Sequence, residues 1–345
     1  MHDPPHSSEQ DAHWMRAALV EAARGVGVTS PNPPVGAVIV RDGVALAAGY
    51  HAKAGGPHAE AAAIAALPSP DAPRGATLYV TLEPCSTHGR TPPCTGAIIG
   101  AGIGRVVYGA RDPNPHHAGA ADRVLGAAGI AVQAGVLAAE CEALIRPFSK
   151  WIRTGLPWVV LKAAMSLDGR ITRPPGEGQW LTDAAARADA MALRAQADAI
   201  LVGANTVRED DPQLTLRGEA VPAGKAQPWR AVVSRSGDLP PGSYLFTDEH
   251  RDRTLVYSDA GEALCDLARR GCTAVLAEGG GQLHAALLAG RFADEAVLYY
   301  APSFCGAGCT PGIGALEASV SLKNVATRQI GDQVVVAGEI GYPPV

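Results

Sequence analysis

The 345-residue chain has little that would fit it to a membrane or to a nucleic acid. No stretch stays apolar long enough to span a bilayer, and the start, MHDPPHSSEQDAHWM, has no basic segment leading into an apolar one. A basic excess is missing too: 29 Lys and Arg face 34 Asp and Glu, a net charge of −5, where a nucleic-acid footprint needs clustered cations. A disulfide framework is absent as well, because seven cysteines is an odd number scattered over a long chain. No internal repeat or low-complexity tract stands out. These absences argue for a cytoplasmic protein handling small molecules, with neither nucleic acid nor membrane as partner, and for cysteines engaged in metal or catalytic chemistry.

What is present is ordinary globular material. Hydrophobic residues make up 47% and charged residues 18%, and the length exceeds one hydrophobic core, so two domains are expected. After a mobile tail (1–10), Trp14, Met15, Ala18, Leu19 and Ala22 recur at helical spacing up to Gly25. VGAVIV and VALAAGY read as strands joined at Asp42-Gly43. A helix over 58–67, a strand over 76–82, a helix over 94–102 and a strand over 105–110 follow, with short elements at 118–128 and 130–132. This β-β-α-β-α-β order implies a sheet covered by helices. Pro147 and Gly155-Leu156-Pro157 punctuate a linker placed at 148–157, separating a first domain (11–147) from a second (158–345). The second alternates again, with strands WVVLKAAM, AILVGA, RAVVS, TLVYS, AVLAE and EAVLYYAP and helices over 183–196, 261–270 and 282–289.

The chemistry concentrates in His58-Ala59-Glu60 and the later Cys85 and Cys94. Zinc takes imidazole nitrogen and thiolate sulfur, and a catalytic zinc keeps three protein ligands and one open position; His58, Cys85 and Cys94 supply that set. In mid-helix Glu60 would not share a face with His58, since two residues turn the chain by about 200°, but at a helix start the site can sit over the helix end. Cys94 opens a helix, where the dipole favours a thiolate. Such a zinc lowers the pKa of water to about 7, and Glu60 can carry the proton to a departing amine. The reaction implied is hydrolytic deamination, and His-x-Glu with Pro-Cys and a second cysteine is a zinc nucleobase-deaminase pattern. Here eight residues, STHGRTPP, separate the cysteines instead of two. A structural zinc knuckle is the alternative, but it wants a fourth protein ligand and no carboxylate.

Four segments, PNPPVGAVIV, GYHAKAGGPHAEAAAI, YVTLEPCSTHGRTPPC and RDPNP, together resemble the bacterial bifunctional riboflavin-biosynthesis deaminase/reductases. The resemblance implies a cytidine-deaminase-like three-layer α/β/α domain followed by a dihydrofolate-reductase-like α/β domain. It implies one Zn2+, and a diaminopyrimidinone substrate carrying a ribosylamino 5-phosphate whose ring amine is replaced by oxygen. Substrate contacts carry over to Asn32, His51, Arg90, Asp112 and Asn114. On the residues alone, Asn32 is equally a turn residue, Asp112 to Pro115 a rigid loop, and Arg90 a solvated charge, although its fork suits phosphate. The chain departs from the family at Thr87, usually histidine, and at Ala120 and Ala121, where a glycine-basic-glycine run is common.

The second half carries the resemblance on through LKAAMSLDGR, GEGQWLT, LRAQADAILVGANTV, DDPQLTLR and EGGGQL. It implies NADPH-dependent reduction of the ribosyl group to ribityl. NADPH contacts carry over to Ala164, Trp180, Thr206, Asp210, Gly280, Gly281 and Gln282, and substrate contacts to Lys162, Asp168, Gly178, Arg194, Leu214, Arg217 and Glu278. Arg194 and Arg217 suit a phosphate and Glu278 suits polyol hydroxyls. On the residues alone, a glycine run is often only a strand-to-helix turn, Asn205 and Thr206 only a cap, and Trp180 a core residue. Ser234 stands where the family usually has an acid. Cys305 and Cys309 read as buried or loop thiols. The expected protein is thus a bifunctional enzyme and a homo-oligomer; a single-activity enzyme, a nucleic-acid deaminase and a non-enzymatic zinc module are the rivals.

Overall fold

A computed structural model describes residues 8–69, 71–87, 92–115, 117–178, 180–218 and 221–343, and the chain divides into two units between Thr154 and Gly155. In the first, α1 (Ser8–Ala23) precedes the hairpin of β1 (Gly36–Arg41) and β2 (Val44–Tyr50). Asp42 and Gly43 turn it with φ of 53° and 73°, the left-handed pair that a two-residue hairpin needs. There follow α2 (Ala59–Ala65), β3 (Thr77–Leu82), α3 (Cys94–Gly100), β4 (Arg105–Ala110), α4 (Ala120–Ala127), β5 (Ala131–Ala134), α5 (Ala138–Leu144) and α6 (Arg146–Thr154). The sheet order is β2-β1-β3-β4-β5, with β1 antiparallel to both neighbours and β3, β4 and β5 parallel.

The register places the helices. Gly36 pairs with Tyr50 and Ala37 with Gly49, so Gly36 and Gly49 present opposite faces of the hairpin. A Cβ on Gly36 would lie 2.1 Å from the Ala18 carbonyl oxygen of α1, and one on Gly49 would lie 2.4 Å from the Ala63 nitrogen of α2. The two helices therefore cover opposite faces, each closer to the sheet than any side chain allows. Val80 and Tyr108 share the α2 face through their pairing, and Tyr108 reaches Asp122 of α4 at 2.9 Å. On the other face Tyr79 donates to Asp11 of α1 at 2.8 Å, and Arg105 pairs with the same buried carboxylate at 2.8 and 2.9 Å. The result is the expected three-layer α/β/α unit, with β1, β3 and β4 in its core.

The second unit runs β6 (Trp158–Ser166), α7 (Ala184–Gln196), β7 (Ala199–Gly203), α8 (Ala204–Asp210), β8 (Trp229–Val233), α9 (Tyr244–Thr247), β9 (Thr254–Tyr257), α10 (Ala260–Arg269), β10 (Ala274–Ala277), α11 (Gly281–Ala289), β11 (Glu295–Ala301), β12 (Ser321–Ile330) and β13 (Gln333–Gly341). Its sheet order is β12-β13-β11-β6-β10-β7-β8-β9, parallel from β11 to β9, with the β12–β13 hairpin added antiparallel at the β11 edge. The apolar runs of β7 and β10 are buried almost throughout, as strands covered on both faces must be.

Two sequence expectations change. The segment read as a linker from 148 is mostly α6, which belongs to the first unit and ends at Thr154; Pro147 is tolerated because it falls in the first turn, where its missing N–H has no partner to lose. Ser8 to Gln10, placed in the tail, are already helical, and residues 1–7 lie outside the described residues. The β12–β13 hairpin and α5 were not anticipated.

Candidate active sites

The chain order puts the first site at the ends of helices. His58 is the extended residue preceding α2, Glu60 sits in its first turn, and Cys94 opens α3. Cys85 follows β3, and its sulfur accepts the Cys94 backbone N–H at 3.3 Å. His58 Nδ1 lies 3.5 Å from Cys85 Sγ and 3.3 Å from Cys94 Sγ. Zn–N and Zn–S lengths of about 2.0 and 2.3 Å in a tetrahedron place nitrogen and sulfur about 3.5 Å apart, so the donors fit zinc as they stand. Among the described residues these three are the one cluster able to hold a metal, and no fourth protein ligand joins them. Three donors, with the fourth position filled by no described residue, match the arrangement of a catalytic zinc. Among the described residues Cys305 and Cys309 belong to no metal cluster; the Cys309 thiol donates to the Cys305 carbonyl at 3.3 Å.

Glu60 is 4% exposed and shares a cavity of about 180 Å³ with His58 and Cys85. Burial pushes its carboxyl up to about 7, the range in which one group can both take and give a proton. Asn32, His51 and Asp112 line the same cavity. His51 donates from Nδ1 to the Pro57 carbonyl at 2.9 Å, leaving Nε2 to accept from the Asn32 amide at 3.0 Å; burial lowers its pKa, so the ring stays neutral. Asp112 accepts the Asn114 backbone N–H at 2.8 Å, while Asn114 itself is not among the lining residues. Arg90 lies outside the described residues. Thr87 is exposed, with its hydroxyl 3.1 Å from His117 Nδ1.

Two residues went unnoticed in the sequence. Buried Glu83 accepts the backbone N–H groups of Asp112 and Ala121, each at 3.3 Å, fixing the loop that carries Asp112; its place after β3 in EPC was the available signal. Phe148 walls the cavity from α6, hidden because its segment read as a linker.

In the second unit two cavities of about 600 and 550 Å³ open at the C-terminal ends of the parallel strands and share Thr206 and Gly280. The first holds Lys162, Ala164, Trp180, Arg194, Thr206, Asp210, Leu214, Arg217, Glu278 and Gly280. The second holds Thr206, Gly280, Gly281 and Gln282. A Cβ on Gly281 would lie 2.5 Å from the Pro311 carbonyl oxygen, so α11 starts where only glycine fits. Trp180 is 60% exposed and is no core residue.

The site departs from expectation at three positions. Arg194 lines the cavity in a two-pronged pair with Glu278, at 2.7 and 2.9 Å, and donates to the Thr215 carbonyl at 3.0 Å, so a phosphate contact by Arg194 would require that pair to open. Burial alone would raise the Glu278 carboxyl, but Arg194, with Lys162 and Arg217, holds it below its ordinary value. Asp168 turns away from the cavity and accepts the backbone N–H groups of Cys305 and Gly306 at 3.0 and 2.7 Å. Gly178 does not line the cavity either.

These geometries agree with comparisons to known proteins. Residues 8–110 match the cytidine and deoxycytidylate deaminase zinc-binding region, and residues 157–336 match the RibD C-terminal domain. The riboflavin biosynthesis protein RibD of Escherichia coli is 38% identical over 94% of this chain and 98% of its own. The chain belongs to the RibD family. Acinetobacter baumannii RibD superposes with a TM-score of 0.87 at 35% identity, covering 97% of this chain and 100% of that one. The Thermotoga maritima diaminohydroxyphosphoribosylaminopyrimidine deaminase/5-amino-6-(5-phosphoribosylamino)uracil reductase does so with 0.85 at 34%, covering 97% and 99%. As a member of this family, the chain joins a zinc-binding deaminase domain to an NADPH-dependent type of reductase domain in riboflavin biosynthesis. No helix among the described residues is long and apolar enough to cross a membrane.

Proposed function

We propose that the first unit deaminates 2,5-diamino-6-(5-phosphoribosylamino)pyrimidin-4(3H)-one, and that the second reduces the ribosyl group of the product to ribityl with NADPH, giving 5-amino-6-(5-phosphoribitylamino)uracil. The observation that carries the reading is the meeting of the His58, Cys85 and Cys94 donor atoms within 4.8 Å of one another, with buried Glu60 sharing a cavity of about 180 Å³ with His58 and Cys85. Zinc held by His58, Cys85 and Cys94 supplies a Lewis acid that makes water acidic near neutrality. Glu60 would take a proton from water as the water oxygen bonds to the ring carbon and return it to the amine on that carbon, whose C–N bond breaks to release ammonia. His51 and Asn32, locked to each other, orient the ring; Asp112 and Asn114 are further substrate contacts, and Arg90 meets the phosphate.

In the second unit NADPH supplies the hydride. Lys162 and Glu278 orient the ribosyl group, Arg217 holds its phosphate, Leu214 walls the cavity, and Arg194 keeps Glu278 ionised. Ala164, Trp180, Thr206, Asp210, Gly280, Gly281 and Gln282 seat the nucleotide, while Asp168 and Gly178 shape the loops around it. Incubating the protein with the diaminopyrimidinone tests the scheme: the deaminated product accumulates without NADPH and the ribityl product with it. Failure to release ammonia sinks the first half, and failure to oxidise NADPH on the deaminated compound sinks the second. We place the working boundary of the two activities at Thr154/Gly155. The need for NADPH and for reduced Cys85 and Cys94 supports a cytoplasmic location, and we expect a homo-oligomer, which sedimentation measures.

A further inference from the structure

Lys162 of β6 lines the cavity of about 600 Å³ together with Glu278, Arg194 and Arg217. A lysine tail loses rotamer freedom when it is made to point at a ligand, so its ammonium needs a fixed neighbour. Among the described residues the Lys162 ammonium makes no hydrogen bond or ion pair, and Glu278 already gives both its oxygens to Arg194, at 2.7 and 2.9 Å. The neighbour is Tyr299: Lys162 Nζ lies over its ring, 5.8 Å from the centroid, within reach of the negative face of the ring. Register explains the meeting. Lys162 pairs with Val297 across β6 and β11, and Tyr299, two residues further on, points to the same face. Tyr299 is 1% exposed and also lines the cavity, and its phenol donates to Asp189 of α7 at 2.6 Å. Burial and that carboxylate push the phenol up, so it stays the donor. Asp189 in turn takes both prongs of Arg328, at 2.9 and 2.5 Å. Tyr299 and Arg328 both pair with Val335 of β13, so a single row across β12, β13 and β11 carries the clamp.

We propose that Tyr299 is a positioning residue of the reductase: its ring face holds the Lys162 ammonium toward the ribosyl group, and the Asp189–Arg328 pair holds the ring. The inference rests on the reductase reading above, in which Lys162 meets the substrate. An aromatic face suits this task better than a carboxylate, because it attracts the ammonium without taking up its three N–H donors or cancelling its charge. Those donors stay available for the ribosyl oxygens. The β12–β13 hairpin, exposed along its outer strand, thereby serves the cavity through Arg328.

Binding of the ribityl product in the presence of NADP+, measured by calorimetry on the full chain, tests this without needing turnover. Tyr299→Leu should weaken binding by about 2- to 30-fold, whereas Tyr299→Phe, which keeps the ring, should stay within about twofold of wild type. Arg328→Ala, at a half-exposed position, should weaken binding by about 2- to 5-fold. In a Lys162→Met background both losses should vanish, because residues that act through one group are not additive. Equal losses with and without Lys162 are what a purely structural role gives, and they overturn the proposal. Wild-type binding by Tyr299→Leu, by Arg328→Ala or by Lys162→Met overturns it too, as does a loss in Tyr299→Phe as large as that in Tyr299→Leu. Should Tyr299→Leu fail to fold, as its urea midpoint shows, Arg328→Ala with and without Lys162→Met decides alone. Absence of product binding by wild type, together with no NADPH oxidation on the deaminated compound, overturns the reductase reading and the proposal with it.

Discussion

The deaminase site depends on how closely α2 approaches the sheet, and Gly49→Ala perturbs that distance without touching a ligand. The new Cβ would lie 2.4 Å from the Ala63 nitrogen, 2.8 Å from the Ala62 carbonyl carbon and 2.9 Å from the Ala59 carbonyl oxygen. All three are backbone atoms, so no rotamer change relieves the clash. Restoring ordinary contact at 3.4 Å requires α2 to retreat by about 1 Å, the difference between 3.4 and 2.4. Overpacking of this size costs about 1–3 kcal/mol. The functional effect is larger, because His58 and Glu60 ride on the start of α2 while Cys85 and Cys94 stand on other elements. A misplacement of 1 Å in a reacting constellation costs on the order of 100-fold, and zinc retention should fall as His58 leaves the two sulfurs. The assay is ammonia release at saturating zinc, with zinc content per chain and the urea midpoint of the first unit measured beside it. Gly126→Ala is the control: on the exposed side of α4 its Cβ meets nothing within 4 Å, and it should stabilise by about 0.5–1 kcal/mol. Wild-type ammonia release with wild-type zinc content in Gly49→Ala would refute the claim that helix approach sets the site.

Further outcomes are expected. Glu60→Gln should lower ammonia release by about 10²–10⁴-fold while leaving zinc bound, since Glu60 is not among the three donors; metal analysis of the variant checks both. Removing zinc with a chelator should abolish ammonia release and spare NADPH oxidation on the deaminated compound, measured by absorbance. The Glu278 carboxyl is held below its ordinary value, so its contribution to the second unit is complete above the unfolded pKa of about 4.5 and is lost as pH falls through the folded value. Urea midpoints of the second unit measured downward from pH 6 should therefore drop more steeply in wild type than in an Arg194→Met/Glu278→Met pair.

Local signals made the first site legible. His58, Glu60 and Cys94 stand at helix starts and Cys85 just past a strand end, so a pattern within 37 residues, His58 to Cys94, places every donor. Phe148 escaped because Pro147 and Gly155 look like linker punctuation, yet a proline in the first turn of α6 costs its helix nothing. The β12–β13 hairpin escaped because its outer strand is exposed along most of its length, so it has no apolar face to announce it; its turn at Gly331, φ 55°, was the remaining cue.

Arg194 and Arg217 show what a sequence withholds. Both looked equally suited to a phosphate, because nothing local couples Arg194 to a glutamate 84 residues further on. Only the fold, bringing α7 beside the end of β10, reveals that the Arg194 fork is already filled by Glu278. Among the described residues Arg217 donates instead to the neutral side-chain oxygens of Gln213 and Thr215, at 3.1 and 3.2 Å, at the cavity edge. The two arginines should therefore fail differently. Arg217→Ala removes a contact made alike in ground and transition states, so KM for the phosphorylated substrate should rise about 10- to 100-fold with kcat nearly kept. Arg194→Ala strands a buried carboxylate, and should cost the second unit about 3–5 kcal/mol as well as its turnover. Steady-state kinetics and denaturation of the two variants separate these outcomes: a KM effect in Arg194→Ala without loss of stability would mean that its pair with Glu278 opens to take the phosphate.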